Sequence, residues 1–264
     1  MKLISKDEVK QIQLSLLDSF VTICEKKGLK YFLDYGTLLG CVRHKGFIPW
    51  DDDIDISMPR DDYNKLKKYF ESNEMVFGKH IKLAYTGGKY NVHKPYFNLI
   101  DIRTITESIF RKEQYYYPVW IDIFPMDFAP QKKSEIIRLY QMSNFFREIG
   151  AYPLIKISGK YRLIKTIKQI ALKPLSNLFM RIAEGIVSYK KTGKELIMYY
   201  HPYDIFCSIE KNDFYENATT GVFEGKKYRI PANYDERLTR IYREYMKYPP
   251  KEKQIPHTFY AYWK

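Results

Sequence analysis

Cysteine is scarce in this chain: three in 264 residues, Cys24, Cys41 and Cys207. Their odd number and wide spacing exclude a disulfide framework and a Cys-x-x-Cys metal knuckle, and predict a reducing compartment. No uncharged apolar run approaches the roughly 18 residues that a membrane-spanning helix needs. The N-terminal Met1-Lys2-Leu3-Ile4-Ser5-Lys6-Asp7 turns charged too early for a secretory signal, so a cytoplasmic protein is expected. Internal repeats, low-complexity tracts and Ser/Gly-rich linkers are missing too. The expectation is therefore a single domain over residues 1–264.

What the chain has instead is positive charge and aromatic rings. Its 44 Lys+Arg against 31 Asp+Glu give a formal net charge of +13, and 17% of residues are Phe, Trp or Tyr. An apolar content of 45% excludes a disordered or fibrous chain. The cationic excess suits a polyanionic partner: nucleic acid, a phosphorylated substrate or an anionic membrane. No RNP, KH, zinc-finger or recognition-helix pattern accompanies it, which speaks against nucleic acid.

The patterning reads as α/β. Ser5 and Glu8 form a capping-box signature, and Val9, Ile12, Leu16, Phe20 and Cys24 keep helical spacing up to Gly28. A short strand is expected over residues 31–35, a helix from Leu38, and a strand in the alternation that ends the segment Asp51–Met58. Pro59-Arg60-Asp61-Asp62 opens another helix. Residues 81–85, 97–102 and 119–124 read as strands. Residues 134–200 read as a helical insertion, and a further helix is expected near residues 235–246.

The chemistry concentrates around Asp51, Asp52, Asp53 and Asp55. In an extended segment Asp51, Asp53 and Asp55 share one face. Carboxylates crowded beside Ile54 and Ile56 are costly unless a cation neutralises them. Magnesium favours such oxygen ligands and pairs one or two carboxylates with substrate phosphates. Asp122, inside the apolar run Trp120-Ile121-Asp122-Ile123-Phe124, is a candidate third ligand from a neighbouring strand. The reading is a one- or two-metal phosphoryl-transfer centre; a solvated acidic turn is the plainer alternative for an isolated Asp-x-Asp. Gly36-Thr37 lies at a strand-to-helix junction, where backbone N–H groups favour phosphate. Arg43, His44 and Lys45 precede the acids and Arg60 follows them, cations that suit a site for both metal and phosphate.

A longer pattern contains these residues. The unbroken stretch from Tyr31 to Ile56, with Asp34-Tyr35-Gly36-Thr37-Leu38-Leu39-Gly40, Arg43-His44-Lys45-Gly46-Phe47-Ile48-Pro49-Trp50 and Asp51-Asp52-Asp53-Ile54-Asp55-Ile56 inside it, resembles without a gap the signature of the LicD family. These are bacterial phosphotransferases related to the fukutin group of ribitol-phosphate transferases. Leu99–Thr104, Trp120–Asp127 and Phe223-Glu224-Gly225 through Pro231 also resemble it. The family often carries Tyr-Gly-Asp-Tyr before a late Pro-Pro and a His pair after it; here stand Tyr242-Arg243-Glu244-Tyr245, Pro249-Pro250 and the single His257.

The resemblance implies a nucleotidyltransferase-like mixed sheet with surrounding helices. It also implies transfer of a phospho-alcohol, most often phosphocholine from CDP-choline with release of CMP, to a hydroxyl of a teichoic acid, lipopolysaccharide or capsule precursor. CDP-ribitol, CDP-glycerol and an NTP are alternative donors. On this reading Asp53, Asp55 and Asp122, with Asp51 as a further candidate, hold Mg²⁺ or Mn²⁺. Gly36 and Thr37 cradle phosphates, and Arg43, Lys45 and Arg60 stabilise the transferring group. Trp50, Tyr35, Tyr96 and Trp120 are candidate aromatic walls for choline.

Residues 151–200 carry ten lysines and arginines against Glu184 and Glu195. Leu163, Ile164, Ile167 and Ile170 repeat among them at helical spacing. A basic amphipathic stretch of this kind either lies on an anionic membrane, here the inner face of the plasma membrane, or packs on its own domain with a solvated basic face.

Overall fold

In the computed structural model, which describes residues 1–108, 117–157, 159–189, 192–210, 217–254 and 259–264, the Ser5–Glu8 pair opens a long helix. Lys190, Lys191 and His257 lie outside the described residues. After strand β1 (Lys2–Ile4), helix α1 (Lys6–Lys27) is capped reciprocally: Glu8 N–H donates to Ser5 Oγ at 3.2 Å and Ser5 N–H to Glu8 Oε2 at 2.9 Å. Gly28 ends it with φ 65°, a conformation glycine adopts without a Cβ penalty. The apolar face of α1 (Val9, Ile12, Leu16, Phe20) joins the main core with Leu33, Ile54, Ile56, Ile121 and Ile123.

The next elements in the chain are β2 (Phe32–Leu33), α2 (Tyr35–Arg43), β3 (Asp55–Pro59), α3 (Arg60–Ser72), β4 (Ile81–Ala84), β5 (Phe97–Asp101), β6 (Thr104–Ser108) and β7 (Val119–Phe128). They build a sheet in the order β2-β3-β7-β5-β4. β3 runs parallel to β7, and the other neighbours are antiparallel. A parallel pair needs a crossover, which α3, β4 and β5 supply. The result is the mixed α/β architecture that the patterning predicts.

The helices α4 (Lys133–Ala151), α5 (Arg162–Leu172) and α6 (Ser176–Val187) follow. α4 and α6 pack together, with Ser143 Oγ donating to Ala183 O at 2.9 Å and Ser176 Oγ to Gly150 O at 2.6 Å. β8 (Glu195–Ile197) then pairs with the C-terminal end of β7, and β9 (Ile209–Glu210) with β8. β10 (Thr219–Phe223) and β11 (Lys226–Ile230) form a hairpin, α7 (Tyr234–Tyr242) follows, and β12 (Phe259–Trp263) lies between β1 and β6. No helix among the described residues is long and apolar enough to cross a membrane.

Two expectations shift at the signature. The strand at residues 31–35 stops at Leu33, because the Asp34 side chain accepts the Tyr35 N–H at 2.9 Å and starts α2 instead. Tyr35 takes the turn at φ 43°, a left-handed backbone rare for a bulky residue. Helix α2 accordingly begins at Tyr35 and not at Leu38, and the strand expected in the alternation that ends Asp51–Met58 begins at Asp55. Burial still alternates ahead of it: Asp52 and Ile54 are buried, whereas Asp51, Asp53 and Asp55 are half-buried.

Candidate active site

Asp55 opens β3 and Asp122 lies on β7, and the parallel register sets them Cα opposite Cα. Asp122 N–H donates to Ile54 O at 2.9 Å, and Asp34 N–H donates to Asp55 O at 3.0 Å. The buried Thr37 hydroxyl accepts the Asp55 N–H at 2.8 Å and so seats the first strand residue. Gly36 admits the next aspartate: a Cβ there would stand 2.5 Å from Asp51 Oδ2. Only glycine leaves room for that approach. Gly36 and Thr37 thus each position an aspartate.

The carboxylates sense one another. Burial, then the charges of Asp53, Asp122, Asp51 and Asp34, push the Asp55 carboxyl well above the usual carboxylate range. The same field reaches two phenols. Burial raises Tyr203, with Asp204, Asp55 and Asp34 adding to it. Burial raises Tyr242 too, with Asp55, Tyr203, Asp51 and Asp34 adding.

Asp122 is held on both oxygens. Trp120 Nε1 donates to Oδ2 at 3.1 Å; Lys94 Nζ at 3.1 Å and the Asn98 amide both donate to Oδ1. Asn98 faces Asp122 directly in the β5–β7 register. The Lys94 ammonium also lies 4.9 Å from the Tyr96 ring centre and 5.4 Å from that of Trp120.

A divalent cation fits this donor set on chemical grounds. Its members are hard oxygen donors, and their mutual repulsion is what a cation relieves. Among the described residues no three His, Cys, Asp or Glu side chains stand close enough together to hold a metal by themselves. The protein therefore offers a partial set of the kind that magnesium completes with substrate oxygens.

A cleft of about 930 Å³ opens beside Asp51 and Gly36. Its other wall is the segment from Tyr242 to Pro250, the stretch that departs from the LicD pattern. Arg43 ties that wall in place: Nη1 donates to Tyr245 O at 2.6 Å and to Lys247 O at 3.3 Å, and the guanidinium lies 4.9 Å from the Tyr248 ring centre. Trp50 also lines the cleft, its ring 6.2 Å from both His44 and Tyr248. Arg243, Lys247 and Lys253 add positive charge to the rim.

The structure thus gathers Asp51, Asp53, Asp55 and Asp122 with Gly36 and Thr37, and places Arg43 and Trp50 in the adjoining cleft. Lys45 and Arg60 are occupied elsewhere. Lys45 Nζ donates to Val42 O at 3.2 Å, at the C-terminal end of α2. Arg60 stands past the far end of β3, its Nε and Nη2 on the two Asp127 oxygens at 2.7 Å and its Nη1 on Glu184 at 2.6 Å. Of the candidate choline walls, Tyr35 is buried with its hydroxyl donating to Asp204 at 2.6 Å, and Tyr96 and Trp120 flank Lys94.

Sequence reasoning missed Lys94, Asn98, Tyr203 and the Asp34–Arg237 pair. Asn98 carried a signal, a polar residue inside an apolar strand. Lys94 sits in a loop with no periodicity to mark it.

Comparison with known proteins agrees with the geometry. Residues 28–157 match the family described as LicD/FKTN/FKRP, nucleotidyltransferase domain. The lipopolysaccharide cholinephosphotransferase LicD of Haemophilus influenzae is 31% identical over 286 aligned positions, covering 97% of each chain. An uncharacterized protein of Rickettsia typhi is 29% identical over 45% of this chain and 35% of its own. The human ribitol 5-phosphate transferase FKRP is 43% identical over 48 residues, 18% of this chain and 10% of its own.

Proposed function

The chain belongs to the LicD family of phosphotransferases, and on that basis we propose that it moves phosphocholine from CDP-choline to a hydroxyl of a lipopolysaccharide precursor. One observation supports this donor and acceptor above others: the similarity to a lipopolysaccharide cholinephosphotransferase runs through 97% of both chains. A CDP-ribitol or CDP-glycerol donor is the second reading, supported by the short match to a ribitol 5-phosphate transferase.

In the proposed mechanism Mg²⁺ or Mn²⁺ would be held by carboxylates drawn from Asp53, Asp55 and Asp122, with Asp51 beside them and substrate oxygens completing the shell. The cation, when bound, neutralises the charge that develops on the diphosphate as CMP departs. The protein does the rest by positioning and electrostatics. Thr37 and Gly36 fix Asp55 and Asp51. Trp120, Asn98 and Lys94 lock the Asp122 carboxylate in one orientation. Arg43, Arg243, Lys247 and Lys253 give the cleft the positive charge that a nucleoside diphosphate requires, and Trp50 and Tyr248 offer ring faces for a quaternary ammonium. The proton of the acceptor hydroxyl passes to Asp53, because the Asp122 oxygens are already taken by Trp120, Asn98 and Lys94.

A donor panel of CDP-choline, CDP-ethanolamine, CDP-glycerol and CDP-ribitol, with Mg²⁺ or Mn²⁺ and lipopolysaccharide precursor as acceptor, tests the reading through CMP release. CDP-choline should be turned over fastest. Preference for CDP-ribitol selects the second reading, and pyrophosphate release from CTP in place of CMP would overturn both.

A further inference from the structure

Helix α5 is mounted the wrong way round for a helix that serves its own core. Leu163, Ile164, Ile167 and Ile170 fall on one face at helical spacing. A helix of a globular domain turns such a face inward. Here these residues are 75%, 53%, 59% and 69% exposed. The one buried residue of α5 is Gln169. Its amide donates to Tyr152 O at 2.8 Å and Ile155 O at 3.0 Å, so the helix is anchored by its polar side. Exposed Ile155, Tyr161, Leu175 and Leu178 extend the apolar surface on either side.

Charge says what covers it. Residues 149–183 contain seven lysines and arginines and no Asp or Glu. Lys160, Arg162, Lys168 and Lys173 are exposed at the ends and edges of the apolar stripe. A second copy of this face would bring like charges together around the seam, which disfavours self-association. An apolar stripe with a wholly cationic rim matches the acyl boundary and headgroups of an anionic bilayer.

We propose that α5 docks the protein on an anionic lipid surface, lying in the plane of the interface with Leu163, Ile164, Ile167 and Ile170 inserted and the surrounding lysines and arginine at the headgroups. None of these residues belongs to the proposed carboxylate site, and the test needs no turnover. The full chain is floated with vesicles of phosphatidylcholine alone, or with about one-third phosphatidylglycerol, at about 0.15 M salt. It should bind the anionic vesicles and not the neutral ones. The Ile164→Ser/Ile167→Ser and Arg162→Gln/Lys168→Gln proteins should each lose about tenfold or more of that binding. Their melting temperatures should stay unchanged, because all four side chains are exposed. Failure of the unsubstituted protein to bind anionic vesicles overturns the proposal, as does binding that survives the serine pair. A dimer in solution that the serine pair dissociates, without vesicle binding, overturns it in favour of a second copy.

Discussion

Asp122 is the residue whose surroundings say most about its task. A carboxylate in an apolar strand needs partners, and three donors from three residues supply them. Donors placed behind a ligating carboxylate fix its orientation, and losing one typically costs about 10–100-fold in metal affinity or activity. Asn98→Ala and Lys94→Met should therefore each lower turnover by about that factor and raise the Mg²⁺ concentration needed for half-maximal rate. Kinetics at graded Mg²⁺ check this; a normal Mg²⁺ response in both variants would remove the positioning role. Asp122 was legible in the sequence because it interrupts an apolar run. Lys94 was not, because it lies in the loop ahead of β5 and meets Asp122 only through the fold, not through its neighbours in the chain.

At the scale of elements, α2 and β3 explain what sequence could and could not convey. Alternation in Asp51–Ile56 correctly put Asp51, Asp53 and Asp55 on the less buried side, although only Asp55 belongs to a strand. Arg60 looked adjacent to the acids, but strand residues rise about 3.3 Å each, so β3 carries it about 16 Å from Asp55. There it joins Asp127 to Glu184 of α6. Helical period over residues 163–170 was legible too, but period does not say which face packs, and α5 turns its apolar side out. Gly36 belongs to this scale because α2 must pass close to Asp51. Gly36→Ala should push the Asp51 carboxylate away, lowering turnover while the melting temperature stays within a few degrees of the unsubstituted protein. Steady-state kinetics beside a thermal melt decide it, and full activity would show that Asp51 has room to spare.

Across the whole molecule, the capped first helix, the mixed sheet and the α4–α6 region follow the patterning closely. The contacts that close the fold over long sequence distance do not. Arg237 of α7 reaches back to Asp34 at the head of α2, with both bonds at 2.6 Å and both side chains buried. Removing one partner of a buried pair strands the other charge, at a cost of about 3–5 kcal/mol. Arg237→Ala should lose about that much in urea unfolding, and a loss below about 1 kcal/mol would mean that water reaches Asp34. The parallel β3–β7 register brings Asp55 and Asp122 side by side, and the proposed site rests on that pairing. Its most direct test is CMP release from CDP-choline by the Asp55→Asn protein, with a thermal melt as control. The rate should fall by about a thousand-fold or more and the melting temperature should be no lower than before, because the substitution relieves repulsion among the aspartates. A folded Asp55→Asn protein that releases CMP at near the unsubstituted rate would contradict it.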